Sequence, residues 1–482
     1  MLAVINVLGS MLMLFSVTYL LPMVTSLIYA DGLIMDFIYA AVICVVAGAA
    51  LVLATRKQKR ELRSRDGFLL VTLAWVLMSA IATVPLLIAL PGLSFTDAFF
   101  ETMSGLSTTG ATVLTGLDTM APSLNLWRHA LIWFGGMGII VLVVAILPML
   151  GVGGMQLYKA ETPGPVKDEK LTPRITQTAR ALWVVYFLIT VACILSLKVA
   201  GMGWFDAICH AFSTLSLAGF STRDASLGAY DSVAFEVILS IFMVIAALNF
   251  ATHFTGWRER SLRPYWRDAE ARGVLAVIIL SCLGCAGYLW FMGTYASYWT
   301  ALRYVSFNLI SIATDCGLVS TDYALWPIFV PFFMLFLSCL TASSGSTGGG
   351  IKMIRTLVLV RQSTRELTRL IHPTLAAPVT VGGVEIPNSV VFAILGFIFL
   401  YFLSVVGLTF LLIFGGLDFI TAFTAVIACF NNAGPGLGLV GPATNYQILT
   451  DYETWVCSFT MLLGRLEIFS VVVLFTPQFW RK

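Results

Sequence analysis

Ser107-Thr108-Thr109-Gly110-Ala111-Thr112 is the stretch on which the fold turns. It follows an apolar run with a small polar face, Phe99 to Leu106, and lies far from any run of charge. Relatives of it recur as Leu217-Ala218-Gly219-Phe220-Ser221, Asp315-Cys316-Gly317-Leu318 and Asn432-Ala433-Gly434-Pro435-Gly436. Each is a strip of small residues centred on a glycine, with hydrophobic spans on both sides. Backbone at membrane depth must satisfy its polar groups internally or line a watery cavity. A strip of carbonyls running past an axis can replace the hydration shell of a cation. Glycine permits the positive φ that turns successive carbonyls to one side. A helix before each strip would aim its partly negative C-terminal end at the cavity. The expectation is that the four strips converge and form an ion selectivity filter. The plainer alternative is a set of helix breaks in a transporter core.

The composition fits that setting. The chain has 482 residues, 59% of them hydrophobic and 11% charged, with a mean hydropathy of +0.92. This is a polytopic membrane protein rather than a soluble domain. Nine cysteines are scattered through apolar spans, and Cys282 and Cys285 read as small buried residues rather than a redox or metal pair. Four histidines make a zinc or haem site improbable. No bound organic cofactor and no nucleic acid is expected. A membrane-embedded enzyme would need clustered carboxylates, a nucleophile with its base, or a metal set, and none is found.

Read in order, the first apolar run, Leu2 to Ala30, lacks a basic start and a cleavage site, so it is a membrane helix rather than a signal. A second helix covers 33–55. Then a unit of helix, short helix, strip and helix repeats four times. The expected organisation is 1–66 for the two N-terminal helices and a basic loop, then repeats at 67–160, 161–260, 261–370 and 371–482. The fold class is all-α, with four helix–pore loop–helix repeats around a pseudo-fourfold pore and ten crossing helices. Helices near 20 residues match a hydrocarbon core of about 30 Å. Counting supports the repeat: Ala98, Ala207 and Ala422 each stand twelve residues before their strip glycine, and Ala301 stands sixteen before Gly317. Asp97, Asp206 and Thr421, which precede those alanines, suit helix N-termini.

Of 28 basic residues, 23 fall in the first inner loop, in 151–180, 254–272 and 352–369, and in the tail. This bias puts both termini in the cytoplasm and the strips on the outer side.

The motifs STTGAT, LAGFST and FNNAGPGLG, with WFGGMGI, GVGGMQLY, GSTGGGIK and GRLEIF, resemble the TrkH family, membrane subunits of bacterial Trk potassium transporters within the Trk/Ktr/HKT superfamily. The resemblance covers essentially the whole chain. It implies uptake of K+ across the bacterial inner membrane, a homodimer in the lipid bilayer with one pore per subunit, and a cytosolic TrkA-like nucleotide-binding regulatory subunit. The filter would comprise Thr108, Thr109, Gly110 and Ala111; Leu217, Ala218, Gly219 and Phe220; Asp315, Cys316, Gly317 and Leu318; and Asn432, Ala433, Gly434 and Pro435. Two departures stand out. The third strip of the family usually resembles TTAGFT, where this chain has Asp315 and Cys316, and Ala218 replaces the first of two usual glycines. They keep a sodium or mixed-cation pathway, with or without proton coupling, as the second reading.

Four further features carry expectations. Asp315 is a carboxylate at membrane depth, which is costly and usually functional. It can coordinate the ion, bond backbone amides behind the strip, or titrate and couple protons; the second role is slightly favoured. Arg465 sits inside an apolar span, where insertion scales charge roughly 2.5–3.5 kcal/mol. Glu467, two residues on, does not face it along a helix, so Arg465 is expected to face the pore as a positive barrier. Thr341 to Gly350 interrupts the last span of the third repeat. It is no P-loop, because Gly350 is followed by Ile351-Lys352-Met353 rather than Lys and Ser or Thr. Helped by the resemblance, it reads as a gate loop, with Gly345, Ser346, Thr347, Gly348, Gly349 and Gly350 cheap to rearrange and Arg465 able to hold it shut. Gly135 to Gly138 read as close helix packing, His210 as a packed polar residue, and the basic faces at 258–272 and 355–369 as candidates for docking a partner.

Overall fold

The structure, a computed structural model, describes residues 2–56, 64–141, 175–374 and 377–481. The basic residues Lys57 to Arg63 and the stretch Gly151 to Tyr158 lie outside the described residues. Two antiparallel helices come first, α1 (Leu2–Tyr29) and α2 (Ile34–Thr55). They touch through glycine: a Cβ on Gly9 would lie 2.6 Å from the Gly48 carbonyl oxygen, and one on Gly48 would lie 2.6 Å from that of Gly9. Small residues let membrane helices approach this closely.

The first repeat has α3 (Arg65–Ala89), the short α4 (Phe95–Leu106) and α5 (Pro122–Val141). The second has α6 (Ile175–Val199), the short α7 (Trp204–Ser216), and α8 (Val233–Ala247) with α9 (Phe250–Glu259), after which α10 (Arg263–Arg267) leads on. The third has α11 (Ala269–Phe291), the short α12 (Tyr298–Ala313), α13 (Phe329–Ser338) and α14 (Met353–Ile371). A small hairpin, β1 (Val379–Val381) with β2 (Val384–Ile386), precedes the fourth. That repeat has α15 (Asn388–Gly415), the short α16 (Phe419–Asn431), and α17 (Asp451–Arg465) with α18 (Ile468–Phe475).

Six helices are long and apolar enough to span a bilayer alone, and the count among the described residues reaches eight if each bent pair is one span. With α5 and the interrupted α13–α14 span, this accounts for the ten crossings. Two of these crossings are sharply bent rather than straight. Helices α8 and α9 meet at 98°, and α17 and α18 at 114°. Apolar periodicity runs through both breaks, so hydropathy alone does not reveal them. The hairpin lies between α14 and α15; its turn is Gly382-Gly383, at φ +59° and +80°, a combination that two-residue hairpin turns favour.

The short helices surround the centre of the fold and are almost wholly buried. Helix α16 buries every residue from Thr424 to Asn431. The long helices enclose them and turn large side chains such as Phe399, Phe410 and Phe414 outward, as a lipid-facing surface requires.

Candidate functional site

Each short helix starts at a cap three residues earlier than the acids and threonine picked from sequence. The caps are Ser94, Gly203, Ser297 and Asp418. The backbone N–H of Ala98, Ala207, Ala301 and Ala422 donates to the carbonyl of its own cap residue at 3.0, 2.9, 3.0 and 2.9 Å. All four alanines are therefore equivalent, including the one that looked out of step. Helix α12 has 16 residues against 12 or 13 in the other three, so the third unit differs by about one turn within its helix.

All four helices end alike. The residue two before each strip glycine is left-handed: Thr108 at φ +56°, Leu217 at +54°, Asp315 at +67° and Asn432 at +59°. Its N–H bonds back three residues, and the next N–H bonds back five. In the first strip these are Thr108 to Gly105 at 2.9 Å and Thr109 to Ser104 at 2.8 Å; in the fourth, Asn432 to Cys429 at 3.3 Å and Ala433 to Ala428 at 2.8 Å. This pattern satisfies the last carbonyls of a helix. It usually places glycine at the left-handed position, and a side chain there costs roughly 1–2 kcal/mol. Gly110, Gly317 and Gly434 then take φ +77°, +81° and +86°. Each of those three strips thus has two left-handed residues separated by one other.

The strips close on one another. A Cβ added to Gly110 would lie 1.9 Å from the Gly219 nitrogen. One on Gly219 would lie 2.9 Å from the Gly317 carbonyl, and one on Gly317 2.4 Å from the Ala433 oxygen. One on Gly434 would lie 2.9 Å from the Thr109 oxygen, which returns to the first strip. Four backbones from one polypeptide therefore form a closed ring, and a single cleft is lined by all four glycines. Ala111, Phe220 and Pro435 line the same cleft, while Leu217, Ala218, Cys316, Leu318 and Ala433 are buried in the packing around it.

One mouth of the cleft carries charge. Leu117 N–H donates to Asp224 at 3.2 Å and Asp224 N–H donates to Asp118 at 3.2 Å, which latches the loops after strips one and two together. That backbone donor, with Arg223 beside it, holds the Asp118 carboxyl below its ordinary range. Deeper in, Arg128 pairs with Glu101 at 2.7 Å, and both are buried. Glu101 also accepts from Val113 N–H at 3.0 Å, so this ion pair braces the first strip from behind. The sequence alone did not single out Arg128 or Glu101.

The interrupted segment 339–352 lies at the other end of the ring. A Cβ on Gly349 would meet the Asn431 oxygen at 1.9 Å, and Thr347 Oγ1 donates to the Leu215 carbonyl at 3.1 Å. Thr341 Oγ1 donates to the Ala313 carbonyl. The loop thus rests on the C-terminal ends of three short helices. Three charged side chains hold its middle. Arg465 Nη1 donates to the Thr347 carbonyl at 2.8 Å, Lys352 Nζ donates to that of Gly348 at 2.7 Å, and Gly349 N–H donates to Asp315 Oδ2 at 3.0 Å. Gly345 and Gly350 both take φ +73°, and Ser346 Oγ donates to Ser343 O at 2.7 Å. Glu270 gathers the shoulders of the loop: its Oε1 accepts from Ser344 N–H and Ile354 N–H, each at 3.0 Å.

Arg465 and Asp315 therefore hold neighbouring residues of the same loop, Thr347 and Gly349. Glu467 turns away and pairs with Arg355 at 2.9 Å. Lys352 and Glu270 were missed as site residues. Lys352 had served only to reject a P-loop, although a lysine straight after a glycine break inside an apolar span was a usable signal. Glu270 had been hidden in a mainly basic loop. Asp315 also has a structural counterpart. In the fourth repeat the same position is Asn432, whose amide donates to the Met461 carbonyl of α17 at 3.2 Å. Both side chains tie a strip to the last span of their own repeat. The break in the third repeat offers the Gly349 N–H, which aspartate accepts; the asparagine of the fourth donates to the Thr109 hydroxyl at 2.8 Å as well as to α17.

The remaining features have plain surroundings. Gly135 packs against α4, where a Cβ would come 2.1 Å from the Leu106 oxygen. His210 bonds Asp206 O at 2.8 Å and Ser221 Oγ at 3.0 Å. Cys282 and Cys285 are free buried thiols. Among the described residues no group of three His, Cys, Asp or Glu side chains is placed to hold a metal.

The chain matches the TrkH cation transport protein family over residues 33–282 and 293–482. It belongs to that family. Among curated TrkH relatives, the Trk system potassium uptake protein TrkH of Halomonas elongata is 46% identical over 99% of this chain and 99% of its own length. That of Escherichia coli is 44% identical over 100% of this chain and 99% of its own. The crystal structure of the potassium transporter TrkH from Vibrio parahaemolyticus superposes with a TM-score of 0.91 at 43% identity, covering 100% of this chain and 99% of that one. The TrkH fold seen there is the fold described here, and the protein is a multi-pass membrane transporter of cations.

Proposed function

We propose that this chain takes up potassium across the bacterial inner membrane, with the ring of strips as selectivity filter and residues 341–350 as a gate below it. The closed ring of Gly110, Gly219, Gly317 and Gly434 carries this reading, because backbone from all four repeats converges there. Names of full-length relatives support potassium as the cargo. Repeats divide at about 67–160, 161–260, 261–370 and 371–482, and both termini lie in the cytoplasm. The working unit is a homodimer joined by a TrkA-like nucleotide-binding subunit, for which the basic faces at 258–272 and 355–369 are the docking candidates. Membrane potential suffices as driving force: at about 2.3 kcal/mol per charge per 100 mV and 1.4 kcal/mol per tenfold, 100 mV sustains roughly fifty-fold accumulation.

A sodium or mixed-cation pathway is the second reading, favoured by the buried Asp315 carboxylate at the third strip. One experiment separates the two: uptake of potassium, rubidium and sodium into proteoliposomes at several pH values, with and without an imposed voltage. Voltage-driven uptake of potassium and rubidium well above sodium is expected. Equal sodium uptake would establish the second reading, and no cation uptake would remove both.

Asp315→Asn keeps an acceptor oxygen for the Gly349 N–H and removes the charge. In the same assay it is expected to shift potassium-over-sodium preference or pH dependence severalfold. Transport identical to the unmodified chain at every pH would exclude the carboxylate charge from the mechanism.

A further inference from the structure

We propose that Tyr446 is a specificity-determining positioning residue, which holds the Gly434 carbonyl of the fourth strip against inward movement. This rests on the filter reading above. Tyr446 Oη donates to the Gly434 carbonyl at 2.9 Å. Among the described residues, no side-chain donor is seen on the carbonyls of Gly110, Gly219 or Gly317, so the fourth strip differs from the other three.

The donor is held firmly in place. Tyr446 follows its strip by twelve residues, and its own N–H donates to the Thr112 carbonyl at 2.9 Å. It therefore bridges the fourth strip to the first, at the seam where the ring closes. The ring of Tyr446 is 2% exposed and packs against Phe100 of α4 with centroids 5.3 Å apart. Its hydroxyl also lies 4.0 Å from Cys429 Sγ of α16. Two short helices thus fix the phenol, and the phenol fixes the carbonyl. The residue after Gly434 is Pro435, which has no N–H of its own to offer.

The effect on ions follows from carbonyl chemistry. A carbonyl oxygen has two lone pairs, and the phenol engages one of them. Discrimination between potassium and sodium depends on cavity size and on the number, field and freedom of the coordinating carbonyls. A carbonyl free to swing follows a smaller ion inward and tolerates sodium. A carbonyl tethered to a clamped phenol does not follow.

The test uses the full chain in proteoliposomes and reads the ratio of initial potassium to sodium uptake. Four variants are compared: Tyr446→Phe, Tyr446→4-fluorophenylalanine, Tyr446→4-aminophenylalanine and the control Tyr323→Phe. The fluoro residue keeps the volume of the phenol without its donor, and reports even where Tyr446→Phe fails to assemble. Loss of one net hydrogen bond corresponds to a fall in the ratio of about threefold to tenfold. That fall is expected in both non-donor variants. Recovery is expected with the 4-amino residue, whose neutral amine donates. Tyr323 is a buried tyrosine after the third strip whose hydroxyl donates to no strip carbonyl among the described residues, and its variant is expected to keep the ratio. A non-donor variant at 446 with an unchanged ratio, or an equal fall in Tyr323→Phe, overturns the proposal. If the unmodified chain itself shows no preference for potassium, the filter reading fails first, and the two failures are distinct.

Discussion

Gly110→Ala is expected to lower potassium uptake by about a hundredfold while the protein still inserts and purifies as a single species. The argument is steric and local. The new Cβ would lie 1.9 Å from the Gly219 nitrogen, far inside the sum of the two van der Waals radii. The offending neighbour is backbone, so no side-chain rotation relieves the contact. Gly110 also sits at φ +77°, where alanine is strained. A displacement or strain worth about 3 kcal/mol corresponds to about two powers of ten. Gly317→Ala should behave alike, since its Cβ would meet the Ala433 oxygen at 2.4 Å. Gly284→Ala is the matched control: it lies within α11 and has nothing within 4 Å of its Cβ position. Uptake is measured per folded protein, with a monodisperse elution profile confirming assembly. Normal uptake in Gly110→Ala would mean that the four strips do not need their close approach, and the filter assignment would fall.

How much of this was legible in the sequence depends on which physical signal each feature leaves. The strip glycines were legible because close backbone approach excludes every other residue, and spacing then exposes the repeat. Their left-handed neighbours were not. Leu217 and Thr108 are ordinary residues by propensity, and only burial of the whole helix end by the surrounding repeats makes a positive φ tolerable there. The capping residues were not legible either, because Asp97 and Asp206 fit a first turn as well as a cap; they fall in the first turn, and Ser94 and Gly203 take the cap. The break at Thr341 to Gly350 was legible from its glycines. The bends at Leu248-Asn249 and at Leu466-Glu467 contain no glycine or proline; the first is marked only by Asn249, which caps α9, and a lone asparagine is a weak sign of a break. Charged residues in apolar spans were flagged in general, which found Asp315 and Arg465. Lys352 and Glu270 escaped because they border basic loops, where charge is expected for topological reasons.

Arg465→Ala is expected to raise potassium flux by about thirtyfold. Arg465 is 2% exposed, and among the described residues its guanidinium forms no salt bridge, although the Asp315 carboxylate acts on it through space. Its guanidinium bonds are to the Thr347 carbonyl at 2.8 Å and the Gly135 carbonyl at 3.3 Å. Carbonyls orient the group without cancelling its charge, so a permeating cation meets a full positive charge beside the loop. At ~8 Å and an effective dielectric of about 20, like charges repel by about 2 kcal/mol, which is roughly thirtyfold in rate. The same side chain also pins Thr347, so charge and tether must be separated. Arg465→Gln keeps a side-chain amide that can reach a carbonyl and removes the charge. Arg465→Lys keeps the charge and removes the planar fork. If the barrier is electrostatic, Gln resembles Ala and Lys resembles the unmodified chain. If the tether dominates, Lys resembles Ala and Gln stays low. Initial rubidium uptake under fixed voltage distinguishes these patterns, and raised flux should keep its ion preference because the ring above is untouched. Well-folded Ala and Gln variants with unchanged flux would show that Arg465 neither closes nor charges the path, and residues 341–350 would then need another latch, for which Lys352 is the nearest candidate.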